Sequence, residues 1–304
     1  MTETTIGFVG LGNMGEPMVA RLLGAGFPVH VFDIDADALQ TAVAAGATPC
    51  TNAAECAAVA DVFLTSLPRP DHVENVMLTN HALAALRPGS VWVDLTTNNK
   101  QLVIDAAAAA PDGIAVLDSP VTGAVDGARQ GKLTLFVGGD DAAFSRVEPI
   151  LANLGTVMHC GELGAGNVTK LVTNQLWFIH AAAIAEGFAV GTANGVELGV
   201  LWQAIKNSVG DSFVARHDAP SIFAGHYDPS FTLDLCLKDL GLLQELAALV
   251  GTDLPMTEQA HATFNRAAER YGHDVGELHV ARRIEDDADL SFRLDGDWVP
   301  HWEA

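Results

Sequence analysis

Basic residues are scarce in this chain. Sixteen Lys and Arg stand against 38 Asp and Glu over 304 residues, for a formal charge of −22. Nucleic acid and anionic membrane surfaces select basic faces, so this balance argues against both as partners. Any cation serving an anionic substrate must therefore be placed locally. Cysteine is also sparse: Cys50, Cys56, Cys160 and Cys236 show neither metal-ligand nor CxxC spacing. Reduced thiols and no metal site are the expectation. Apolar residues make up 49% of the chain but are dispersed, and no run is expected to reach the ~20 residues of a bilayer span. Met1-Thr2-Glu3-Thr4 has neither the basic nor the apolar region of a signal peptide, so a cytoplasmic location is expected. Tandem repeats and low-complexity segments are absent apart from Ala-rich stretches.

What is present begins at the N-terminus. Thr5-Ile6-Gly7-Phe8-Val9 reads as a buried strand and is followed by Gly10-Leu11-Gly12-Asn13-Met14-Gly15. Met18, Val19, Leu22 and Leu23 then recur at helical spacing until Gly26. A GxGxxG turn between a strand and a helix serves a dinucleotide pyrophosphate. Its glycines allow a tight turn, close backbone approach to phosphate, and close helix–strand contact. The helix N-terminus supplies free N–H groups and partial positive charge. A second apolar run, Val29-His30-Val31-Phe32, ends in Asp33, close to the expected ~20 residues on. A carboxylate there would accept from ribose hydroxyls and repel a 2′-phosphate, favouring NAD over NADP. The plainer alternative is a strand end at Asp33, with Asp35 capping the next helix.

Strand and helix signals alternate through the first half. Asp61 to Pro68, Val91 to Thr97 and Ala115 to Asp118 read as strands running into loops, and Leu102 to Ala110 as a covering helix. The pattern predicts an α/β fold with a doubly wound, mostly parallel sheet and ligands at the strand carboxyl ends. The loops at Leu67-Pro68 and Thr96-Thr97 should face the cofactor. After Gly161, Gly164 and Gly166, an Ala-rich apolar stretch from Val168 to about Gly195 reads as one helix roughly 40 Å long. No strand alternation follows it. The expected division is a dinucleotide-binding domain at 1–163 and an all-helical domain at 164–304, opened by an interdomain helix at 164–195. The acidic segment from Glu285 to Ala304, with Trp298 and Trp302, reads as a tail laid on another surface.

Lys170 and Asn174 lie four residues apart on the long helix and share a face. Lys rarely enters so apolar a segment without a partner or a task. At this point the chain resembles the β-hydroxyacid dehydrogenases, most closely the 3-hydroxyisobutyrate dehydrogenase group, from Gly7 to about Gly251. Four ordered blocks carry the resemblance. These are Gly7 to Met18, Asp118-Ser119-Pro120-Val121-Thr122-Gly123-Ala124 with Gly131-Lys132-Leu133, Gly161 to Lys170 with Asn174, and Phe231 to Leu235 with Lys238-Asp239-Leu240-Gly241-Leu242.

The resemblance implies a Rossmann domain, an interdomain helix and a helical domain that builds homodimers or homotetramers. It implies Lys170 as catalytic acid/base and Asn174 as the residue orienting the substrate hydroxyl. Thr122 and Gly123, with Ala124 beside them, would hold the carboxylate of a small substrate. Leu67, Pro68, His72, Thr97 and Lys238 would contact the nicotinamide half of NAD, with Gly10, Leu11, Gly12, Asn13, Met14, Gly15 and Asp33 on the remainder. Free Lys has a pKa near 10.4, and burial beside the cofactor and a second cation at Lys238 would lower it. Plainer readings make Lys238 a surface residue at a helix start, Thr122 a turn hydroxyl and His72 a helix-start polar group. The chain departs from the family at Thr122-Gly123-Ala124, where Ser-Gly-Gly is usual; two added methyls would narrow the pocket. Sibling specificities therefore stay open: tartronate, glyoxylate, succinic semialdehyde, sugar acids or sulfonates. Imine reduction is disfavoured, because relatives with that activity generally replace the lysine. A silent NAD-binding scaffold is disfavoured by retention of both Lys170 and Asn174.

Overall fold

Residues 4–300 are described in the computed structural model. The chain divides into two units, the first ending at Lys170 and the second beginning at Leu171. Trp302 lies outside the described residues, as do Met1, Thr2 and Glu3 of the N-terminal reading.

The strands of the first unit are β1 (Ile6–Val9), β2 (Val29–Phe32), β3 (Thr48–Pro49), β4 (Val62–Thr65), β5 (Val91–Asp94), β6 (Ala115–Asp118), β7 (Val121–Thr122), β8 (Leu133–Gly138) and β9 (Gly155–Gly161). Between them run α1 (Gly15–Gly24), α2 (Ala36–Ala44), α3 (Ala53–Val59), α4 (Pro70–Glu74), α5 (Ala82–Ala85), α6 (Lys100–Ala109), α7 (Ala124–Gln130) and α8 (Asp141–Leu151). Strands β3-β2-β1-β4-β5-β6 pair in parallel. The sheet then turns: β6 and β7 both pair antiparallel with β8, which pairs in parallel with β9.

A parallel sheet is covered on both faces, so its strands are apolar throughout rather than alternating. Val62, Leu64, Val91, Val93 and Leu117 point to one face, against Met18, Val19 and Leu22 of α1 and Val147 and Leu151 of α8. Phe63, Trp92 and Val116 point to the other, against Cys56 and Ala57 of α3 and Val103 and Ala106 of α6.

Helix α9 (Ala165–Ala193) begins in the first unit and continues into the second. Its 29 residues span about 43 Å at the usual rise. It is long and apolar enough, by length and composition alone, to cross a bilayer. The expectation that no segment would qualify is therefore corrected. Lys170, Asn174, Gln175, His180 and Glu186 punctuate it. Phe178, Ala181, Ala185 and Phe188 pack into the core of the second unit. That unit continues with α10 (Leu198–Lys206), α11 (Ala219–Ala224), α12 (Leu233–Val250), α13 (Pro255–Tyr271) and α14 (His279–Ala288). A π-helical turn at Val214–Asp218 precedes α11.

The tail is shorter than read from sequence. Residues through Ala288 are helical, and Glu285 is a buried carboxylate accepting from Tyr227 Oη (2.6 Å), the Phe292 N–H (2.7 Å) and Arg293 (2.9 Å). Trp298 packs on Trp202 and Phe223 of its own unit and donates to Leu294 O at 2.8 Å. It is thus spent on the second unit's own core, and not held out for another surface.

Candidate active site

The glycine-rich turn shows three distinct demands. Gly10 sits at φ +98°, and a Cβ there would fall 2.1 Å from Ser66 O. A Cβ on Gly15 would fall 1.8 Å from Gly10 O, so the turn closes only with glycine at both ends. Gly12 has no atom within 4 Å of its ideal Cβ. The room at the middle glycine therefore faces outward, where a pyrophosphate needs to approach. Helix α1 is capped by Met14 without a side-chain hydrogen bond; Glu16 N donates to Gly12 O at 3.1 Å and Pro17 has no N–H, so in its first three residues the Gly15 N–H is the one left to an anion. Leu11 is buried and Asn13 exposed.

Asp33 and Asp35 divide two tasks that the sequence left open. Asp35 caps α2, accepting from Asp37 N and Ala38 N. Asp33 instead ties β2 to the glycine-rich turn, with Oδ2 accepting from Leu11 N at 2.5 Å and Oδ1 from Asp35 N at 2.8 Å. The glycine-rich turn and Asp33 thus form one hydrogen-bonded assembly.

Leu67 N donates to Thr96 Oγ1 at 3.0 Å, joining the β4 and β5 loops that carry Leu67-Pro68 and Thr97. His72 lies on α4, half-exposed, with its ring 3.9 Å from Asp71. Beneath the loops lies a buried polar network that the sequence reading missed. Asp94 accepts from Thr65 Oγ1 (2.9 Å), Thr96 N (3.1 Å) and Asn98 Nδ2 (2.8 Å). Asn98 N donates to Asn167 Oδ1 at 2.7 Å. Asn167 in turn donates from its backbone (2.6 Å) and side chain (3.1 Å) to Asp118, which also accepts from Gly164 N at 2.7 Å. Burial pushes both carboxyls up; for Asp118, despite three donors and with Asp94 adding repulsion, the value reaches about 6. The network fixes the start of α9, and Lys170 follows Asn167 by three residues. Lys170 is only 7% exposed.

The loop at 122–124 follows β7, where Thr122 pairs with Thr134 of β8. Gly123 has φ +126° and Ala124 φ +57°. Alanine in the left-handed region costs roughly 1–2 kcal/mol. The departure at Ala124 is therefore a strained backbone as well as an added methyl.

In the second unit Asn174 is 2% exposed and donates from Nδ2 to Asp239 Oδ2 at 2.6 Å. Asp239 also pairs with Lys238 Nζ at 3.0 Å. Lys238 is 9% exposed and sits five residues into α12, so the surface, helix-start reading is corrected. Its charge is met by Asp239, which weakens the expectation that it acts as a bare second cation. The residue missed here is Asp239, which joins Asn174 to Lys238 across 65 residues of sequence. On the same face of α9, three residues after Asn174, Trp177 donates from Nε1 to buried Asp218 at 2.7 Å.

Comparison with known proteins agrees with this geometry. Residues 5–164 match the NAD binding domain of 6-phosphogluconate dehydrogenase, and residues 164–284 the NAD-binding domain of NADP-dependent 3-hydroxyisobutyrate dehydrogenase. The 3-hydroxyisobutyrate dehydrogenase of Pseudomonas aeruginosa is 37% identical over 93% of this chain and 100% of its own. The 2-(hydroxymethyl)glutarate dehydrogenase of Eubacterium barkeri is 36% identical over 85% of this chain and 87% of its own. A solved structure of Mycobacterium tuberculosis 3-hydroxyisobutyrate dehydrogenase with L-serine superposes with a TM-score of 0.85 at 32% identity, covering 93% of this chain and 99% of that one. The chain therefore belongs to the NAD-dependent β-hydroxyacid dehydrogenase family of the 3-hydroxyisobutyrate dehydrogenase type.

Proposed function

We propose that the protein oxidises the alcohol of a small 3-hydroxy acid, with NAD as hydride acceptor, and reduces the corresponding semialdehyde in reverse. The observation that carries this reading is the pairing on α9 of a buried Lys170 with Asn174, whose amide is fixed by buried Asp239. Alcohol oxidation removes a hydride and a proton, so a proton acceptor must stand beside the hydroxyl. Lys170 takes that proton and returns it in the reverse direction. Asn174 orients the hydroxyl, because the Asp239 contact holds its amide in one rotamer. The Thr122 hydroxyl and the Gly123 N–H hold the carboxylate. Leu67, Pro68, His72, Thr97 and Lys238 hold the nicotinamide half of the cofactor, which when bound accepts the hydride. Asp33 accepts from the ribose hydroxyls and disfavours a 2′-phosphate, giving preference for NAD.

The 3-hydroxyisobutyrate and 2-(hydroxymethyl)glutarate in two relatives' names, and the L-serine present with the Mycobacterium tuberculosis structure, share a primary alcohol one carbon from a carboxylated centre and differ in the group on that centre. We read this chain as acting on the same core, with a small group at the variable position because Thr122 and Ala124 each add a methyl. Exposed Val172, Leu176 and Val190 along α9 support a homodimer or homotetramer. A cytoplasmic location remains part of this reading. The test is NADH formation at 340 nm across 2-substituted 3-hydroxypropanoates, with NAD and with NADP. Turnover with NAD and a small 2-substituent is expected. Equal specificity for NADP would overturn the role given to Asp33, and no turnover on any 3-hydroxy acid would overturn the substrate class.

A further inference from the structure

At the amino ends of the strands, opposite the glycine-rich turn, lies a cleft of about 560 Å³. Thr5 precedes β1, Val62 opens β4 and Gly89 stands just before β5, and all three border it. Its apolar side is Val59, Val62 and Ile150, and its polar side carries Arg87 and Arg146, two of only 16 basic residues in the chain. Both guanidinium groups are anchored. Arg87 Nη2 donates to Val59 O and to Asp61 Oδ1, each at 2.9 Å, and Asp61 Oδ2 is itself held by the Thr5 N–H at 2.9 Å. Arg146 Nη2, from α8, donates to Gly89 O at 2.8 Å, and Gly89 N is tied to Gly113 O at 2.8 Å. Among the described residues Arg146 forms no ion pair and no other side-chain hydrogen bond.

We propose that this cleft binds a small monocarboxylate with an apolar body, at the opposite end of the sheet from the cofactor turn. With 38 acidic residues in the chain, the lack of any carboxylate on Arg146 leaves a place for an external one. The guanidinium fork matches the two oxygens of a carboxylate, and its weak hydration makes it the cheaper cation to desolvate. The charged groups of the wall are Arg87, Arg146 and Asp61. Arg87 and Asp61 answer each other, so one positive charge remains, carried by Arg146. That surplus matches a monoanion and falls short of a phosphate dianion, which Asp61 would also repel. Val59, Val62 and Ile150 offer apolar side chains to the rest of the ligand, which suits a short hydrocarbon chain. The volume lies within the range of small-molecule sites, roughly 300–1,000 Å³.

Phenylglyoxal, which modifies guanidinium groups, reads the site directly because Arg87 and Arg146 are both exposed. The full chain is treated with it in the absence and presence of pentanoate, and each modified arginine is located by peptide mass spectrometry. Pentanoate at roughly millimolar concentration should slow modification of Arg146 and Arg87 several-fold. Arg129, exposed on α7 and outside the cleft, should react unchanged. 1-Pentanol, equal in length and uncharged, should protect neither. In Arg146→Gln, Arg87 should react at one rate with or without pentanoate, and NADH affinity should match the parent. No protection, equal protection by 1-pentanol, or equal slowing at Arg129 would overturn the site. Stronger protection by propyl phosphate would overturn the monocarboxylate. Protection of Arg87 that persists in Arg146→Gln would overturn the role of Arg146, and altered NADH affinity in that variant would overturn the separation from the cofactor turn.

Discussion

An Asp239→Asn substitution removes one charge and almost no volume from the buried polar group of the second unit. Asp239 is 2% exposed and holds Lys238 Nζ at 3.0 Å and Asn174 Nδ2 at 2.6 Å. A hydrogen bond to a charged group contributes roughly 1.5–3 kcal/mol, and removing one partner of a buried ion pair costs about 3–5 kcal/mol. Lys238 is not wholly enclosed and regains some hydration, so the lower end applies, about 3 kcal/mol. Most of that cost is the loss of the negative charge opposite the Lys238 ammonium. Lys238→Met in the Asp239→Asn background should therefore recover about 2 kcal/mol, an interaction visible in a double-mutant cycle. Urea unfolding followed by tryptophan emission is suited to this, because Trp177, Trp202 and Trp298 report on the second unit against Trp92 in the first. Asp239→Asn within about 0.5 kcal/mol of the parent, or strict additivity with Lys238→Met, would refute the buried-pair reasoning.

Other consequences are independent of that pair. Ala124→Gly should raise stability by about 1 kcal/mol, since a left-handed φ of +57° suits glycine and strains alanine; a loss in the same urea assay would contradict the strain. Thr122→Ser combined with Ala124→Gly should shift relative kcat/KM toward bulkier 2-substituents by roughly tenfold, an effect within the ~1–3 kcal/mol of one methylene, and an unchanged profile would remove this loop from the substrate site. Burial raises Asp118 from 3.8 to about 6, so the folded state holds a proton that the unfolded state releases between those values. Its contribution is present below pH 3.8 and lost as pH rises through about 6. Asp118→Asn lacks that dependence, so the stability difference between parent and variant should change by up to about 3 kcal/mol between pH 4 and 7; a constant difference would contradict it. Light scattering should give a dimer or tetramer mass, and a monomer at micromolar concentration would refute the assembly.

Local signals made much of this molecule legible. Strand β1 is buried throughout and β2 is buried at Val29 and Val31, and the glycine spacing needs only the turn between β1 and α1. The Lys170–Asn174 face follows from helical geometry alone. What stayed hidden depends on partners distant in sequence. Asp94 and Asp118 read as strand ends, because Asn167, which links them, comes 49 residues after Asp118. Asp239 read as a surface neighbour of Lys238 because Asn174 is 65 residues away. Ala124 gave no sign of a left-handed backbone, since alanine ordinarily avoids it. Trp298 read as tail because the rings receiving it, Trp202 and Phe223, lie on α10 and α11. The membrane-length character of α9 was missed because its apolar residues are interspersed with polar ones, whereas its mean hydropathy over the helix is high.

Lys170 as the proton-transfer group is tested most directly by Lys170→Met assayed with NAD and the best 3-hydroxy acid of the screen, beside NADH affinity measured by fluorescence. The expected result is a fall in kcat of about 10²–10⁴, the usual range for a lost general acid/base, with NADH affinity within about twofold of the parent. Near-parental kcat in a variant that still binds NADH would contradict it.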